Sequence, residues 1–318
     1  MKRIHTNTIV SAVGAALALA LLAGCSGVPA EVTGALGAAG EALSGVGQAI
    51  GGAVDGLLDE TSVAEAREQR RSDLTPTLAD ADLKTPGTLT VGIESAESAP
   101  LALTATDGSL AGIDVDTAYA LADELGMANV EVVSVQNAST ALASNCDVVM
   151  GVEAGSATDV TVLGSYAQSA LGVFSAADVA TAPISAADLS GKTVGVQSGS
   201  VSQSTLASLG LGAVEQTFSN LNEAFEALAS GSVDYVVCDA YAGAYLSCTY
   251  DAGSFAGTLD APVAVGVGVS STASSELQAS VQAALDAIQG NGVADIAKAR
   301  WIGAFPALTE ALRIPGVA

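Results

Sequence analysis

The sequence predicts an α/β protein of two lobes, each a parallel-type sheet covered by helices. Three observations carry that reading. From residue 88 to 303 short β-branched runs alternate with apolar patterns of helical period, and repeated strand–helix units give parallel sheets covered on both faces. The units fall into two series with a break after residue 174, which divides them between two lobes. No segment after Leu22 is long and apolar enough to read as a membrane span.

The elements follow in order. Residues 89–93 form a first strand. Residues 114–125 form a helix whose Val115, Ala118, Leu121, Ala122 and Leu125 share one face. Strands at 130–135 and 147–152 flank a short helix near 138–143, and 170–174 is a further strand. The second series holds strands at 193–197, 214–218 and 235–238, with helices near 202–209, 221–229 and 240–246. A strand at 263–269 and two helices, 275–288 and 293–301, close the unit. Ligands in such folds sit at the carboxyl ends of the strands, where the lobes face each other.

Ahead of the lobes the chain changes character. Lys2 and Arg3 precede an apolar run, 9–22, and Leu22-Ala23-Gly24-Cys25 puts small residues before a cysteine. This pattern predicts a lipoprotein signal: 1–24 is removed, Cys25 is lipidated, and the protein is held outside the cytoplasm on the cell membrane. One acyl chain holds only weakly, so a durable anchor needs several. In 25–86 apolar residues recur at helical spacing from Val32 to Leu57, yet eight glycines stand from Gly34 to Gly56. Each costs a helix roughly 1 kcal/mol relative to Ala, so the segment reads as a flexible tether, with a marginal membrane-lying or self-associating helix as the alternative.

Charge and composition narrow the function. The chain carries 10 basic and 34 acidic residues; loss of 1–24 removes two bases, which leaves 8 − 34 = −26. Such a chain repels nucleic acid and anionic headgroups. Its single histidine, His5, leaves with the signal, which excludes histidine triads, general bases and metal ligands. Cys146, Cys238 and Cys248 remain besides Cys25, with no CxxC pair. One disulfide and one buried thiol are the expectation outside the cytoplasm, and no metal or cofactor is expected.

Five segments then come in a telling order: Gly87-Thr-Leu-Thr-Val-Gly-Ile93; Gly108-Ser-Leu-Ala-Gly-Ile-Asp-Val-Asp-Thr-Ala-Tyr-Ala-Leu-Ala-Asp-Glu-Leu-Gly126; Asp188-Leu-Ser-Gly-Lys-Thr-Val-Gly-Val-Gln-Ser-Gly-Ser200; Glu226-Ala-Leu-Ala-Ser-Gly-Ser-Val-Asp-Tyr-Val-Val-Cys-Asp239; and Ala299-Arg-Trp-Ile-Gly303. Together they resemble family 3 extracellular solute-binding proteins, the amino-acid receptors of ABC importers, across about 87–303. The resemblance implies the type II periplasmic-binding-protein-like fold, two lobes joined by two crossing strands near 172–176 and 260–265. Lobe 1 would hold 87–172 and 263–303, lobe 2 would hold 175–259, and 304–318 would be a C-terminal tail. It also implies hinge closure on a solute, driven by the solute's preference for the closed state, and an ABC permease as partner.

The resemblance implies a solute cleft as well, and this sequence departs from the family there. Family receptors grip a carboxylate with an arginine on the loop after the third strand; that position falls on Asp159, and the polar positions before it become Gly151, Val152 and Ala154 around Glu153. Within 87–303 the only bases are Lys192, Lys298 and Arg300, so the guanidinium fork that usually meets a carboxylate is missing. The family's acid and aromatic residue after the first strand become Glu94, Glu97 and Ser98, with no ring. Asp239 matches the acid that accepts from a ligand's amino group, with a helix N-cap as the alternative. Ser198-Gly199-Ser200 matches a turn that faces a carboxylate at a helix start, with an ordinary capped turn as the alternative. Tyr166 reads as packing rather than pocket.

The candidate substrate-binding set is therefore Glu94, Glu97, Ser98, Gly151, Glu153, Asp159, Ser198, Gly199, Ser200 and Asp239. Several carboxylates in one cleft push one another's pKa up unless a cation enters, which fits an amine or polyamine-like solute. A small neutral or zwitterionic solute held by amides and serines is the second version. The expected function is capture of a small polar solute, amino acid or amine, without catalysis. A degenerate scaffold acting as a sensing or structural surface lipoprotein is the alternative. A dehydratase-like enzyme ranks last, because without histidine catalysis would rest on a carboxylate.

Overall fold

Leu89, Val91 and Ile93 are fully buried along β1 (Thr88–Ile93), the strand around which the first sheet is built. In this computed structural model β1 pairs in parallel with β4 (Asn129–Ser134) and β5 (Val148–Glu153), so Val91 stands opposite Val132 on one side and Val148 on the other. β12 (Val263–Ser270) runs antiparallel between β5 and β6 (Val160–Ser169), giving the order β4-β1-β5-β12-β6. The structure describes residues 71, 73–94, 98–105, 108–179 and 181–317. The described chain from Thr75 onward forms one compact unit. The signal, Cys25, residues 26–70 and Glu97 lie outside the described residues.

Helices cover both faces of this sheet. α1 (Ile113–Glu124) buries Ile113, Val115, Ala118, Leu121 and Ala122. α6 (Ser275–Gly290) adds Leu277, Val281, Leu285 and Ile288 to the same core. α2 (Ala138–Ser144) packs over Cys146, Val149 and Val152 in a separate, smaller cluster. A short hairpin, β2 (Leu103–Thr104) with β3 (Leu110–Ala111), leads into α1. Gly112 starts that helix at φ 136°, and a Cβ there would stand 2.2 Å from the Leu101 carbonyl oxygen, so only glycine fits.

The second sheet has the order β11-β7-β10-β8-β9. β8 (Thr193–Gln197), β9 (Val214–Phe218) and β10 (Tyr235–Asp239) are parallel to one another. β7 (Leu171–Ser175) runs against β10 and β11 (Ser254–Thr258). α3 (Val201–Leu209), α4 (Leu221–Ala229) and α5 (Ala240–Tyr250) cover it, each capped by a side chain: Ser200, Asn220 and Asp239. Phe174 anchors one side, with ring centroids 5.7 Å from both Phe225 and Phe255. The chain passes between the sheets at Ala170 and again at 259–262.

Several features depart from the sequence reading. Both sheets are mixed rather than purely parallel, because a chain that returns from one lobe to the other re-enters each sheet in the opposite direction. Residues 75–86, read as part of the tether, are packed: Leu78 and Leu83 are buried in the first core, and the Thr77 N–H donates to the Leu125 carbonyl at 2.9 Å. Residues 304–317, read as a tail, cross to the second sheet after α7 (Val293–Ile302). There Phe305 meets Phe255 edge to face with ring centroids 4.8 Å apart, the Ile314 N–H donates to the Thr258 carbonyl at 2.8 Å, and Ile314 and Val317 join the second core. No disulfide joins Cys146, Cys238 and Cys248 among the described residues, against the expectation of one; the first two are buried within different cores and the third is exposed. No helix among the described residues is long and apolar enough to cross a membrane.

Candidate functional site

Strand ends bring acids of both sheets together. Glu94 follows β1, Glu153 ends β5, and Asp239 ends β10. Burial pushes the Glu94 carboxyl up, a hydrogen bond from the Ala138 N–H pulls it down, and the Glu153 charge pushes it up again. Burial likewise pushes Asp239 up against the Ala242 and Tyr241 N–H groups, and the charges of Glu153 and Asp260 add to the rise. Glu153 thus acts on a carboxyl of each lobe. Asp260, which the sequence reading missed, sits in the second crossing and accepts from the Leu171 N–H at 2.7 Å; its only signal was an acid in the segment joining the lobes.

Four basic side chains are engaged elsewhere in ion pairs. Lys192 pairs with Asp234 at 3.5 Å, Lys298 with Asp295 at 3.2 Å, Arg300 with Asp116 at 3.2 Å and Arg313 with Glu310 at 3.5 Å. Lys84 lies beside Asp147, and the Asp147 carboxylate accepts from the Lys84 and Thr90 N–H groups. Among the described residues no ion pair reaches Glu94, Glu153 or Asp239, and no group of three His, Cys, Asp or Glu side chains is arranged to hold a metal ion. A cavity of about 240 Å³, lined by Lys84, Cys146, Asp147, Ser270 and Ser274, opens at the opposite, amino end of β1 and β5.

The remaining predicted residues divide. Asp159 is tied to the start of α2, beside the Ala138 N–H that Glu94 accepts: its carboxylate accepts from the Ser139 hydroxyl at 2.8 Å, and it is not among the charges acting on Glu94 or Asp239. Asp239 is the N-cap of α5, its Oδ1 accepting from the Tyr241 and Ala242 N–H groups at 2.9 Å each. Ser200 is the N-cap of α3, accepting from the Gln203 N–H at 3.1 Å and donating to the Gln197 carbonyl at 2.7 Å. The Gly199 N–H donates to Gln203 Oε1 at 2.7 Å, and the Ser198 N–H to the Phe218 carbonyl at 2.9 Å. The turn's backbone N–H groups are therefore committed within the turn and its neighbours. Ser98 is exposed, and its carbonyl accepts from the Leu101 and Ala102 N–H groups.

Gly151 sits in a bulge. Against β12, Val149 faces Gly268 and Val152 faces Gly266, so β5 carries one extra residue between them. Gly151 takes φ 80° there, and its N–H donates to the Tyr166 hydroxyl at 2.7 Å rather than to a ladder carbonyl. β6 bulges in turn: Val267 faces Leu163 and Val265 faces Ala167. The side chains of Gln282 and Gln289 satisfy the Gly164 N–H and the Ser165 carbonyl freed by that bulge. Tyr166, 2% exposed, donates its hydroxyl to Asp114 Oδ1 at 2.7 Å. Asp114 is fully buried, and its Oδ2 has no hydrogen-bond partner. Burial pushes its carboxyl up to about 7, against the pull of the Tyr166 hydroxyl.

No family model matches the chain, and no curated protein sequence matches it. Solved structures do. An ancestral cationic amino-acid solute-binding protein is 26% identical, with a TM-score of 0.59 over 71% of this chain and 100% of that one. Substrate-binding domain 2 of GlnP from Lactococcus lactis, in an open conformation, is 21% identical, with a TM-score of 0.57 over 73% of this chain and 99% of that one. The L-cystine solute receptor of Neisseria gonorrhoeae, unliganded and open, is 20% identical, with a TM-score of 0.55 over 68% and 93%. The second substrate-binding domain of a putative amino-acid ABC transporter from Streptococcus pneumoniae is 22% identical, with a TM-score of 0.56 over 67% of this chain and 99% of that one. The chain has the two-lobed type II periplasmic-binding-protein fold of these neighbours.

Proposed function

We propose that this protein is a lipid-anchored, extracytoplasmic solute receptor that closes its two lobes on a small cationic amine and delivers it to an ABC permease. The observation that carries the reading is that Glu94 and Glu153 at strand ends of one sheet and Asp239 at a strand end of the other lie close enough to interact, with no ion pair to a base among the described residues; burial first, and the Glu153 charge after it, pushes Glu94 and Asp239 up. Such a cleft repels anions, and an ammonium at about 4 Å from a carboxylate gains about 4 kcal/mol at an effective dielectric near 20, before desolvation. The acids are not grouped as a metal-ligand set, which favours a ligand with spread ammonium groups over a bare ion. A free carboxylate on the ligand would find Asp159 where the family carries arginine, and a Ser198–Ser200 turn whose backbone N–H groups are already used. Cys25 is the proposed anchor, Glu97 and Ser98 the proposed rim, and the reading is one of binding rather than turnover.

The same committed turn favours a second reading, a scaffold that kept the fold and lost its solute. Thermal-shift measurements with putrescine, spermidine, lysine, glutamine and glutamate, alongside native mass spectrometry of the purified protein, separate the two. The amine reading expects saturable stabilisation by putrescine or spermidine and none by glutamate. Stabilisation by glutamate or glutamine alone overturns it, and a flat response to all five supports the scaffold.

A further inference from the structure

We propose that Asp114, acting through the Tyr166 hydroxyl on the bulged Gly151 amide, is a positioning residue that sets the face of β5 from which Glu153 enters the cleft. This inference rests on the solute-receptor reading only for the binding arm of its test. Along β5, Val148 and Met150 belong to the large core shared with α1, and Val149 belongs to the smaller cluster under α2. Alternation would return Val152 to the large core, yet Val152 joins Val149 under α2. The extra residue at the bulge reverses the phase, because side chains alternate with a period of two. Glu153 is thereby carried to the side of Val148 and Met150, a side also occupied by Ala240 and Tyr241 next to Asp239.

A bulge leaves an amide without a ladder partner, and a buried orphan N–H costs about 1–3 kcal/mol. Tyr166 supplies the acceptor. A phenol has one proton, and Asp114 Oδ1 takes it, which turns a lone pair toward Gly151. Asp114 ties in the other cleft loop as well: its own N–H donates to the Leu101 carbonyl at 2.9 Å, and the Ile113 N–H donates to the Pro100 carbonyl at 3.0 Å. The first turn of α1 therefore holds both strand-end loops of the first lobe, one by backbone and one by the Asp114–Tyr166 pair. Its orphan Oδ2 is a cost that packing alone does not require.

The test uses the full-length chain with Tyr166→Phe, Asp114→Ala and Asp114→Asn, and with Tyr241→Phe as a second lost buried hydroxyl. The readouts are exchange of the Gly151 amide, carboxyl NMR titration of Asp239, and spermidine affinity. Loss of one hydrogen bond corresponds to about tenfold. Tyr166→Phe and Asp114→Ala are expected to speed Gly151 exchange about tenfold relative to Leu89 and to lower the Asp239 titration as Glu153 withdraws. Asp114→Asn, which keeps an acceptor oxygen, restores slow exchange, and Tyr241→Phe leaves it unchanged. Unaltered Gly151 exchange and Asp239 titration in Tyr166→Phe would overturn the proposal. If the wild-type chain ignores spermidine, the amine reading falls, while the exchange and titration results still decide this one.

Discussion

The Tyr166 hydroxyl donates to Asp114 Oδ1 at 2.7 Å with both side chains buried. A carboxyl held near 7 in the folded chain and near its ordinary 3.8 when unfolded binds more protons folded than unfolded between those values. Its contribution is therefore fullest in acid and is lost as pH rises from about 4 to about 7, by an amount on the order of a few kcal/mol. Glu94, Asp147 and Asp239 shift in the same direction. Thermal melts should show a higher midpoint at pH 5 than at pH 8, and Asp114→Asn should flatten that slope. A wild-type midpoint that climbs from pH 5 to 8 contradicts this.

Binding of an amine should release protons. Contact with an ammonium favours the charged forms of Glu94 and Asp239, whose carboxyls stand above their ordinary values in the free protein. Affinity for spermidine should then rise with pH through the weakly acidic range, and calorimetric heats should depend on the ionisation enthalpy of the buffer. Heats identical in acetate and MES at pH 5.5 would mean that these carboxyls do not meet the ligand.

Asp239 combines a cap with a charge. Asp239→Ala removes the acceptor for two N–H groups at the start of α5, which should cost about 1 kcal/mol. Asp239→Asn keeps a cap oxygen and should melt close to wild type while losing most amine binding. Equal loss of stability in both variants would show that charge, rather than capping, is what the fold uses.

Asp159→Arg is expected to change the ligand class. It would place a guanidinium on the loop that now carries an acid bonded to Ser139, and a bidentate donor suits a carboxylate. Isothermal titration should show weaker spermidine binding and new binding of lysine or arginine. A variant that keeps the wild-type preference removes Asp159 from the cleft.

Residues 305–317 should prove part of the second lobe. Ile314 is 1% exposed, and Ile314→Ala should destabilise by about 2–5 kcal/mol. Denaturant melts should register this as a lower midpoint; an unchanged midpoint would mean that the segment is peripheral.

Legibility in the sequence followed local regularity. β1, α1 and α4 were readable because their apolar residues keep one period from end to end, as Leu89, Val91 and Ile93 do. β6 was not, since Gly164-Ser165 breaks its alternation where the strand bulges, and β11 offers only Ser254-Phe-Ala-Gly-Thr258. The pairing of Glu94 and Asp239 with Glu153 could be anticipated from strand ends and motif positions. The Asp114–Tyr166–Gly151 connection could not, because an extra residue in a strand reverses its phase without leaving a compositional mark. The turn at Ser198–Ser200 resolved as its bland alternative, a capped helix start, since Gln203 stands four residues on from Gly199 to take its N–H.

The way the cores are shared between distant parts of the chain bears on synthesis. The first sheet lacks its β5–β6 bridge until β12 has been made, and the second lacks Ile314 and Val317 until residues after α7 have followed. A growing polypeptide thus completes neither lobe early. Both mature together only once residues 263–317 have been made, and until then each leaves apolar surface for chaperones to hold.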